Sequence, residues 1–182
     1  MPVYVPYIFS KWHIGFFTHL YTPTYRGFDT FIGYYGDEED YYVKNRTEDG
    51  LKGIDFRYNL DPYTTDGYST YIYGNETWKI LKEYVGNGHE NREEPFFIYW
   101  ASQAAHTPWA APIEKIEQHN YLKNDNRRQL AAVVSTLDDV VGEIVDWLKS
   151  EDSQYLWEDL LLIVSTDNGG EVTKGASNLV PG

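Results

Sequence analysis

Residues 95–101 read PFFIYWA and residues 160–165 read LLLIVS. Both are short, continuous apolar runs, and their length and composition predict two buried parallel strands. Between them, residues 126–149 carry apolar side chains at i, i+3, i+4 and i+7, which predicts an amphipathic helix. A strand, a helix and a second strand in this order predict a βαβ unit, so we assign the chain to the α/β class.

The remaining sequence predicts shorter elements around this unit. Residues 3–9 alternate apolar and aromatic side chains and predict a strand. Residues 69–85 have mostly helical apolar spacing and predict a helix, whereas residues 41–68 are polar and irregular, with room for a short hairpin. Pro, Gly, acidic or polar composition predicts loops for the other stretches: 22–36, 37–40 (solvated), 86–94 and 104–112.

Composition excludes several classes of protein. The net charge is −13 without a basic patch, which argues against a nucleic-acid partner. No apolar window is long enough for a membrane span, and residues 1–9 lack the basic start of a signal peptide. The 182 residues contain no cysteine, which excludes disulfides and a cysteine nucleophile among them. Sequons at Asn45 and Asn75, in polar sequence expected to form loops, favour a glycoprotein that is lysosomal or secreted.

Polar residues follow both predicted strands of the βαβ unit, where open α/β sheets bind ligands. His106 comes after the first strand, although a single loop histidine is more often structural. Asp167 and Asn168 come after the second strand and precede Gly169 and Gly170. Their oxygens suit Ca²⁺ or Mg²⁺, but an ordinary Asx turn is the commoner use of such residues.

Lys11 and His13 form a second candidate pair. On a strand, residues 11 and 13 point to the same face, with Trp12 turned into the structure. Such a pair can hold an anion or transfer a proton, whereas a basic pair near the surface is the simpler interpretation. The adjacent carboxylates Asp138 and Asp139 point about 100° apart on a helix, which favours surface or packing roles.

Five motifs occur together in one order: KWHIGFF (11–17), PTYRGFDTFIGYYGDEEDYY (23–42), FFIYWASQAAHTPWAAP (96–112), LDDVVGEI (137–144) and LIVSTDNGG (162–170). This string resembles the sulfatase family and, within it, the arylsulfatase B group. The resemblance implies part of the mixed sheet flanked by helices that sulfatases share with alkaline phosphatase. It also implies a sulfuric ester hydrolase of arylsulfatase type, acting on an aryl sulfate or a sulfated glycosaminoglycan such as N-acetylgalactosamine 4-sulfate.

The resemblance also implies roles for individual residues. Lys11 matches a lysine that holds the sulfate, and His13 matches a histidine that helps to break down the covalent sulfate intermediate. His106 matches a histidine that binds sulfate and protonates the leaving oxygen. Asp167 and Asn168 match two calcium ligands. The family's nucleophile is a formylglycine, which a formylglycine-generating enzyme makes from a cysteine.

The chain departs from the family pattern at several points. Because it has no cysteine, we predict that residues 1–182 are an incomplete catalytic domain, without the N-terminal nucleophile segment and the C-terminal part, and inactive alone. Ser10 stands where family members usually have glycine. Two alternatives remain: an inactive sulfatase-derived protein that binds sulfated glycans, and a phosphodiesterase of the same superfamily.

Overall fold

The first of two units, residues 1–108, contains a mixed sheet. The structure is a computed structural model that describes residues 4–86 and 94–170. The strands described in this unit are Val5–Lys11 (β1), Thr30–Tyr34 (β2), Asn45–Glu48 (β3), Leu51–Ile54 (β4), Phe56–Tyr58 (β5), Asp61–Pro62 (β6) and Phe96–Ala101 (β7). Five of them form one sheet in the order β6-β5-β2-β1-β7, in which β1 is parallel to β2 and β7, and β5 is antiparallel to β2. The predicted α/β class with a mixed sheet is therefore confirmed.

Other predictions for this unit are also confirmed. The strand predicted at residues 3–9 corresponds to β1, and the hairpin expected within residues 41–68 is the antiparallel pair β3–β4. The predicted helix is Ser69–Gly86 (α1). The linker predicted at 86–94 falls largely on residues outside the described ranges.

The core of this unit lies on both faces of β1 and β2. Side chains alternate along a strand, so successive residues face opposite sides of the sheet. Phe9 and Ile32 pack on one face with Phe56 and with Tyr73 of α1. The other face carries Ile8, Trp12, Phe31 and Tyr35, all buried. Because both faces are covered, the ends of β1 and β2 are held in place by a packed core.

The prediction of loop throughout residues 22–36 is wrong for β2. Glycine in this stretch indicated a turn, but Gly33 lies within a buried strand beside Ser10 of β1. A Cβ atom at Gly33 would lie 1.9 Å from the carbonyl oxygen of Ser10. The glycine therefore serves a close approach between two strands, which a single sequence does not distinguish from a turn.

The prediction for residues 95–101 is right about the strand and wrong about its burial. β7 is parallel to β1, but it lies at the edge of the sheet. Phe97 and Tyr99 are 49% and 51% exposed. A continuous run of apolar and aromatic residues can therefore form a strand that is not covered on both faces.

The second unit, residues 109–182, is helical where it is described. It contains Ile113–Gln118 (α2), Asp125–Leu148 (α3) and Gln154–Glu158 (α4). The predicted amphipathic helix is confirmed as α3, which begins where the side chain of Asn124 accepts a hydrogen bond from Arg127 N at 3.1 Å. Asp139 of α3 pairs with Lys115 of α2, in line with the packing role predicted for it. In the described ranges, no helix is both long and apolar enough to cross a membrane.

The strand predicted at residues 160–165 is not formed. No strand is assigned there, and the side chains of residues 161–164 are between 49% and 83% exposed. A strand requires a partner for its backbone hydrogen bonds, and the described part of the second unit offers no strand to pair with. The prediction of a βαβ unit is therefore wrong in its second strand.

Ser10 adopts a backbone conformation that suits glycine. Its φ is +81°, and its buried Oγ has no hydrogen-bond partner. We expect Ser10→Gly to raise the free energy of unfolding by about 1 kcal/mol, because it relieves the left-handed conformation. Ser10→Ala is the matched control, since it removes the hydroxyl but keeps the Cβ. Urea unfolding of both variants checks this, and an equal gain in both would show that the hydroxyl matters and the backbone does not.

Candidate active site

The Lys11–His13 motif lies at the carboxyl end of β1. Lys11 is the last residue of the strand and is half-buried. Trp12 is turned inward as predicted, and its Nε1 donates to the carbonyl oxygens of Gly15 at 2.8 Å and Tyr21 at 3.0 Å. The strand alternation expected to carry His13 is wrong, because β1 ends at Lys11 and His13 has a φ of +46°. His13 instead occupies an exposed turn.

An acidic group lies near His13. Partial burial acts to raise the pKa of Asp37, but its backbone hydrogen bonds and the charges of Arg46 and His13 outweigh this effect, so the pKa lies below its usual value. Arg46 Nη2 forms an ion pair with Asp37 Oδ1 at 2.9 Å. Asp37 and Arg46 therefore place charges of both signs near His13.

His106 lies in the loop that follows β7. Its side chain is exposed, and its Nδ1 lies 2.7 Å from the carbonyl oxygen of Thr107. A carbonyl only accepts hydrogen bonds, so Nδ1 carries a hydrogen and Nε2 is the nitrogen available to a ligand. β1 and β7 are parallel, with Ser10 beside Ala101. Lys11 and the His106 loop therefore both lie at the carboxyl ends of these parallel strands, where α/β proteins bind ligands.

Asp167 and Asn168 lie in the second unit, in an exposed turn. The N–H of Asn168 donates to Asp167 Oδ1 at 2.8 Å, and the hydroxyl of Thr166 donates to the carbonyl oxygen of Asn168 at 2.6 Å. Both bonds are local, but neither is the bond from a side-chain oxygen to the N–H two residues on that defines the Asx turn considered above. The prediction that this segment follows a strand is wrong, because residues 160–165 form none.

A calcium ion is implied by the sequence resemblance, and these two residues fit part of its requirements. A carboxylate and an amide are hard oxygen donors of the kind that Ca²⁺ prefers, and both are accessible here. Calcium takes six to eight oxygen ligands. The described residues contain no group of three or more His, Cys, Asp or Glu side chains arranged to hold a metal. Asp167 and Asn168 can therefore contribute to such a site but do not form it by themselves.

Nothing in the sequence indicated a buried polar group near Tyr34, the residue that pairs with Lys11. The acidic run 37–40 was predicted to be solvated, but Glu39 is only 1% exposed, so this prediction is wrong for that residue. Neither of its carboxylate oxygens has a hydrogen-bond partner, and the hydroxyls of Tyr34 and Tyr73 are also unpaired. Burial and then Glu39 raise the pKa of both tyrosines, which shows that these groups lie together. No local pattern in an acidic run marks which member turns inward.

Burial, and then the charge of Asp55, raise the pKa of Glu39 from 4.5 to about 9. Between these pH values the unfolded chain releases the proton and the folded chain keeps it. We therefore expect the stability from this group to be complete below pH 4.5 and to be lost progressively as the pH rises to about 9. Glu39→Gln should flatten this dependence, and Glu38→Gln, at the less buried neighbour, should not. Chemical unfolding at several pH values measures both, and parallel pH curves for wild type and Glu39→Gln would contradict the expectation.

The two sequons lie on secondary structure, so their expected placement in loops is wrong. Asn45 is the first residue of β3, and Asn75 is exposed on α1. The hydroxyl of Thr77, the third residue of the second sequon, donates to the carbonyl oxygen of Tyr73 at 3.0 Å. Glycosylation at either asparagine stays a prediction.

Comparison with known proteins shows which proteins this chain is similar to. The family model named Sulfatase matches residues 4–182. Mouse arylsulfatase J is 34% identical over 180 residues, and human N-acetylgalactosamine-6-sulfatase is 25% identical over 187 residues; each alignment covers 96% of this chain, but only 28% and 33% of those proteins. Ps i-CgsB, solved in complex with k-i-k-neocarrahexaose, superimposes with a TM-score of 0.80 at 30% identity over 97% of this chain and 40% of its own. The chain thus spans about a third of the curated relatives it matches.

Proposed function

Since this chain belongs to the sulfatase family, we propose that the protein containing it hydrolyses sulfate esters of the arylsulfatase type. The observation that carries this proposal is the family match over nearly the whole chain, together with the position of Lys11 and the His106 loop at the carboxyl ends of two paired parallel strands. A formylglycine and a calcium ion, which the family implies, would supply the nucleophile and local positive charge. Asp167 and Asn168 are the residues here that would help to hold the ion.

Lys11 provides positive charge in this chain's share of the site, and His13 lies two residues further along the chain. A net charge of −13 repels a sulfated substrate, so a local cationic patch is needed to bind it. The ammonium group of half-buried Lys11 meets a sulfate oxygen in partly excluded solvent, which strengthens the contact. His13, next to the ionised Asp37, is placed to hold or pass a proton as the sulfate is released.

His106 is the proposed general acid. The contact between Nδ1 and Thr107 O orients the ring, and when the ring is the doubly protonated imidazolium, Nε2 donates its proton to the oxygen that departs from sulfur. That oxygen gains negative charge in the transition state, and a preorganised donor stabilises it more than it stabilises the substrate.

We propose a sulfated glycan as the substrate, with N-acetylgalactosamine 4-sulfate as the first candidate. One relative is an N-acetylgalactosamine-6-sulfatase by name, which supports the sugar but not the position of the sulfate, and one structural neighbour was solved with k-i-k-neocarrahexaose. The sequons at Asn45 and Asn75 support a lysosomal or secreted glycoprotein, whose nucleophile a formylglycine-generating enzyme would produce. We further propose that residues 1–182 alone are inactive, because they contain no cysteine.

Purification of the native protein that contains this chain tests the proposal. It should release sulfate from an aryl sulfate and from N-acetylgalactosamine 4-sulfate oligosaccharides, and the isolated 182 residues should release none. Cleavage of phosphate esters alone would replace the proposal with a phosphodiesterase. Retention of sulfated oligosaccharide without turnover would replace it with a glycan-binding protein.

A further inference from the structure

Tyr41 links the segment after β2 to the loop that carries His106. Its side chain is fully buried, and its hydroxyl lies 3.0 Å from the carbonyl oxygens of both Gln103 and His106. A phenol has one hydrogen, so the two carbonyls share it. Burial raises the pKa of Tyr41, which keeps that hydrogen in place. The contact joins residues 65 positions apart in the chain.

A second bond runs in the opposite direction between the same two segments. Gln103 is 2% exposed, and its Nε2 donates to the carbonyl oxygen of Glu39 at 2.5 Å. The loop thus accepts a hydrogen bond from the Tyr41 side chain and donates one through the Gln103 side chain. Two bonds of opposite sense fix both the distance and the direction of the loop, which a single bond would not.

Tyr41 is itself held firmly. Its carbonyl oxygen accepts from both the N–H and the Oγ of Ser69, each at 2.8 Å, at the start of α1. Its ring stacks on Tyr68 with centroids 5.3 Å apart and planes inclined by 13°. The hydroxyl is therefore a fixed point of the core and not a mobile side chain that follows the loop.

His106 has few other constraints on its backbone. Its N–H donates to Gln103 O at 2.7 Å, within the same loop, and its side chain contacts only the neighbouring Thr107 O in the described hydrogen bonds. Together with the bond from Gln103 Nε2 to Glu39 O, the bonds from Tyr41 connect this short turn to the core. Loss of the Tyr41 hydroxyl would leave the carbonyl oxygen of His106 short of a donor, whereas that of Gln103 would keep the His106 N–H, and the turn would then shift at His106.

We propose that Tyr41, with Gln103, is a positioning residue that sets the place of the His106 imidazole. The proposal rests on the function proposed above, in which His106 acts on the leaving oxygen. Tyr41 touches no substrate, and its effect passes through the two loop carbonyls. A displacement of about 1 Å in a reacting group is enough to lower a rate by about 10²-fold.

The test is Tyr41→Phe in the native protein that contains this chain. Tyr68→Phe is the matched control, because it removes a buried hydroxyl that makes none of the described hydrogen bonds to Gln103 or His106. We expect Tyr41→Phe to lower kcat roughly 10- to 100-fold with KM within about twofold. It should also shift the histidine Cε1–Hε1 NMR resonance of His106, identified by its absence in His106→Ala. Tyr68→Phe should change neither quantity.

An unchanged kcat and an unchanged His106 resonance in Tyr41→Phe would overturn the proposal. If the wild-type protein shows no sulfatase activity, the proposed function fails, and the resonance alone decides whether Tyr41 positions His106. If Tyr41→Phe does not fold, Gln103→Met removes the reciprocal bond from the same loop. That variant should shift the same resonance, and no shift would likewise overturn the proposal.

Discussion

Replacement of His106 by alanine in the native protein is expected to lower kcat for a sugar sulfate by about 10²–10⁴-fold, the usual contribution of a general acid. The expectation follows from the ring's orientation, in which Nδ1 is held by Thr107 O and Nε2 faces outward. A sugar alkoxide is a strong base and leaves sulfur poorly without a proton. Steady-state kinetics on N-acetylgalactosamine 4-sulfate measures the loss.

Two substrates with different leaving groups distinguish acid catalysis by His106 from sulfate binding by His106. A nitrophenolate leaves without much help, so His106→Ala should lose much less activity on 4-nitrophenyl sulfate than on the sugar sulfate. His119→Ala is the matched control, because its Nδ1 also lies beside a carbonyl oxygen, that of Lys115 at 2.8 Å, but at the end of helix α2 in the other unit. Equal losses on both substrates would mean that His106 only binds sulfate. No loss on either would remove it from the site.

Gly33→Ala is expected to lower the free energy of unfolding by about 3 kcal/mol or more, at the upper end of the cost of overpacking. The added Cβ would lie 1.9 Å from Ser10 O, 2.7 Å from Ser10 C and 2.8 Å from Ser10 Cα. These are backbone atoms of the neighbouring strand β1, so no side chain can rotate away. The strands would have to separate within a core that is covered on both faces.

Gly53→Ala provides the control for this prediction. Gly53 lies on the exposed strand β4, and a Cβ there would meet no atom within 4 Å. Its stability should match that of wild type or exceed it slightly, since alanine restricts the unfolded chain. Thermal and urea unfolding of both variants measures the difference. Equal stabilities would show that β1 and β2 can move apart at little cost.

The sequence was a good guide wherever a pattern is local. The apolar spacing of residues 126–149 predicted α3, and the alternating start of the chain predicted β1. Five ordered motifs were sufficient to predict the family that the comparison confirms. Each helix, strand or single motif depends on residues within a short window, so one sequence contains the information needed to predict it.

The predictions that are wrong concern contacts between distant residues. Gly33 belongs to a strand because the backbone of Ser10 passes beside it, and Glu39 is buried near Tyr34 and Tyr73, which belong to other elements of the fold. The LLLIVS segment has the composition of a strand, but pairing decides whether a strand forms. Composition indicates which secondary structure a segment favours, whereas its contacts with neighbouring segments determine which one forms.

The sequence by itself determined the class of the fold, the long helix, the family and the absence of any cysteine nucleophile among these residues. Only the tertiary structure decided that Lys11 and the His106 loop lie at the carboxyl ends of neighbouring strands. It also decided that Tyr41 contacts that loop at His106, 65 positions along the chain. The physical reason is that periodicity and residue type act along the chain. Proximity, burial and shared hydrogen bonds arise only once strands pair and the core closes around them.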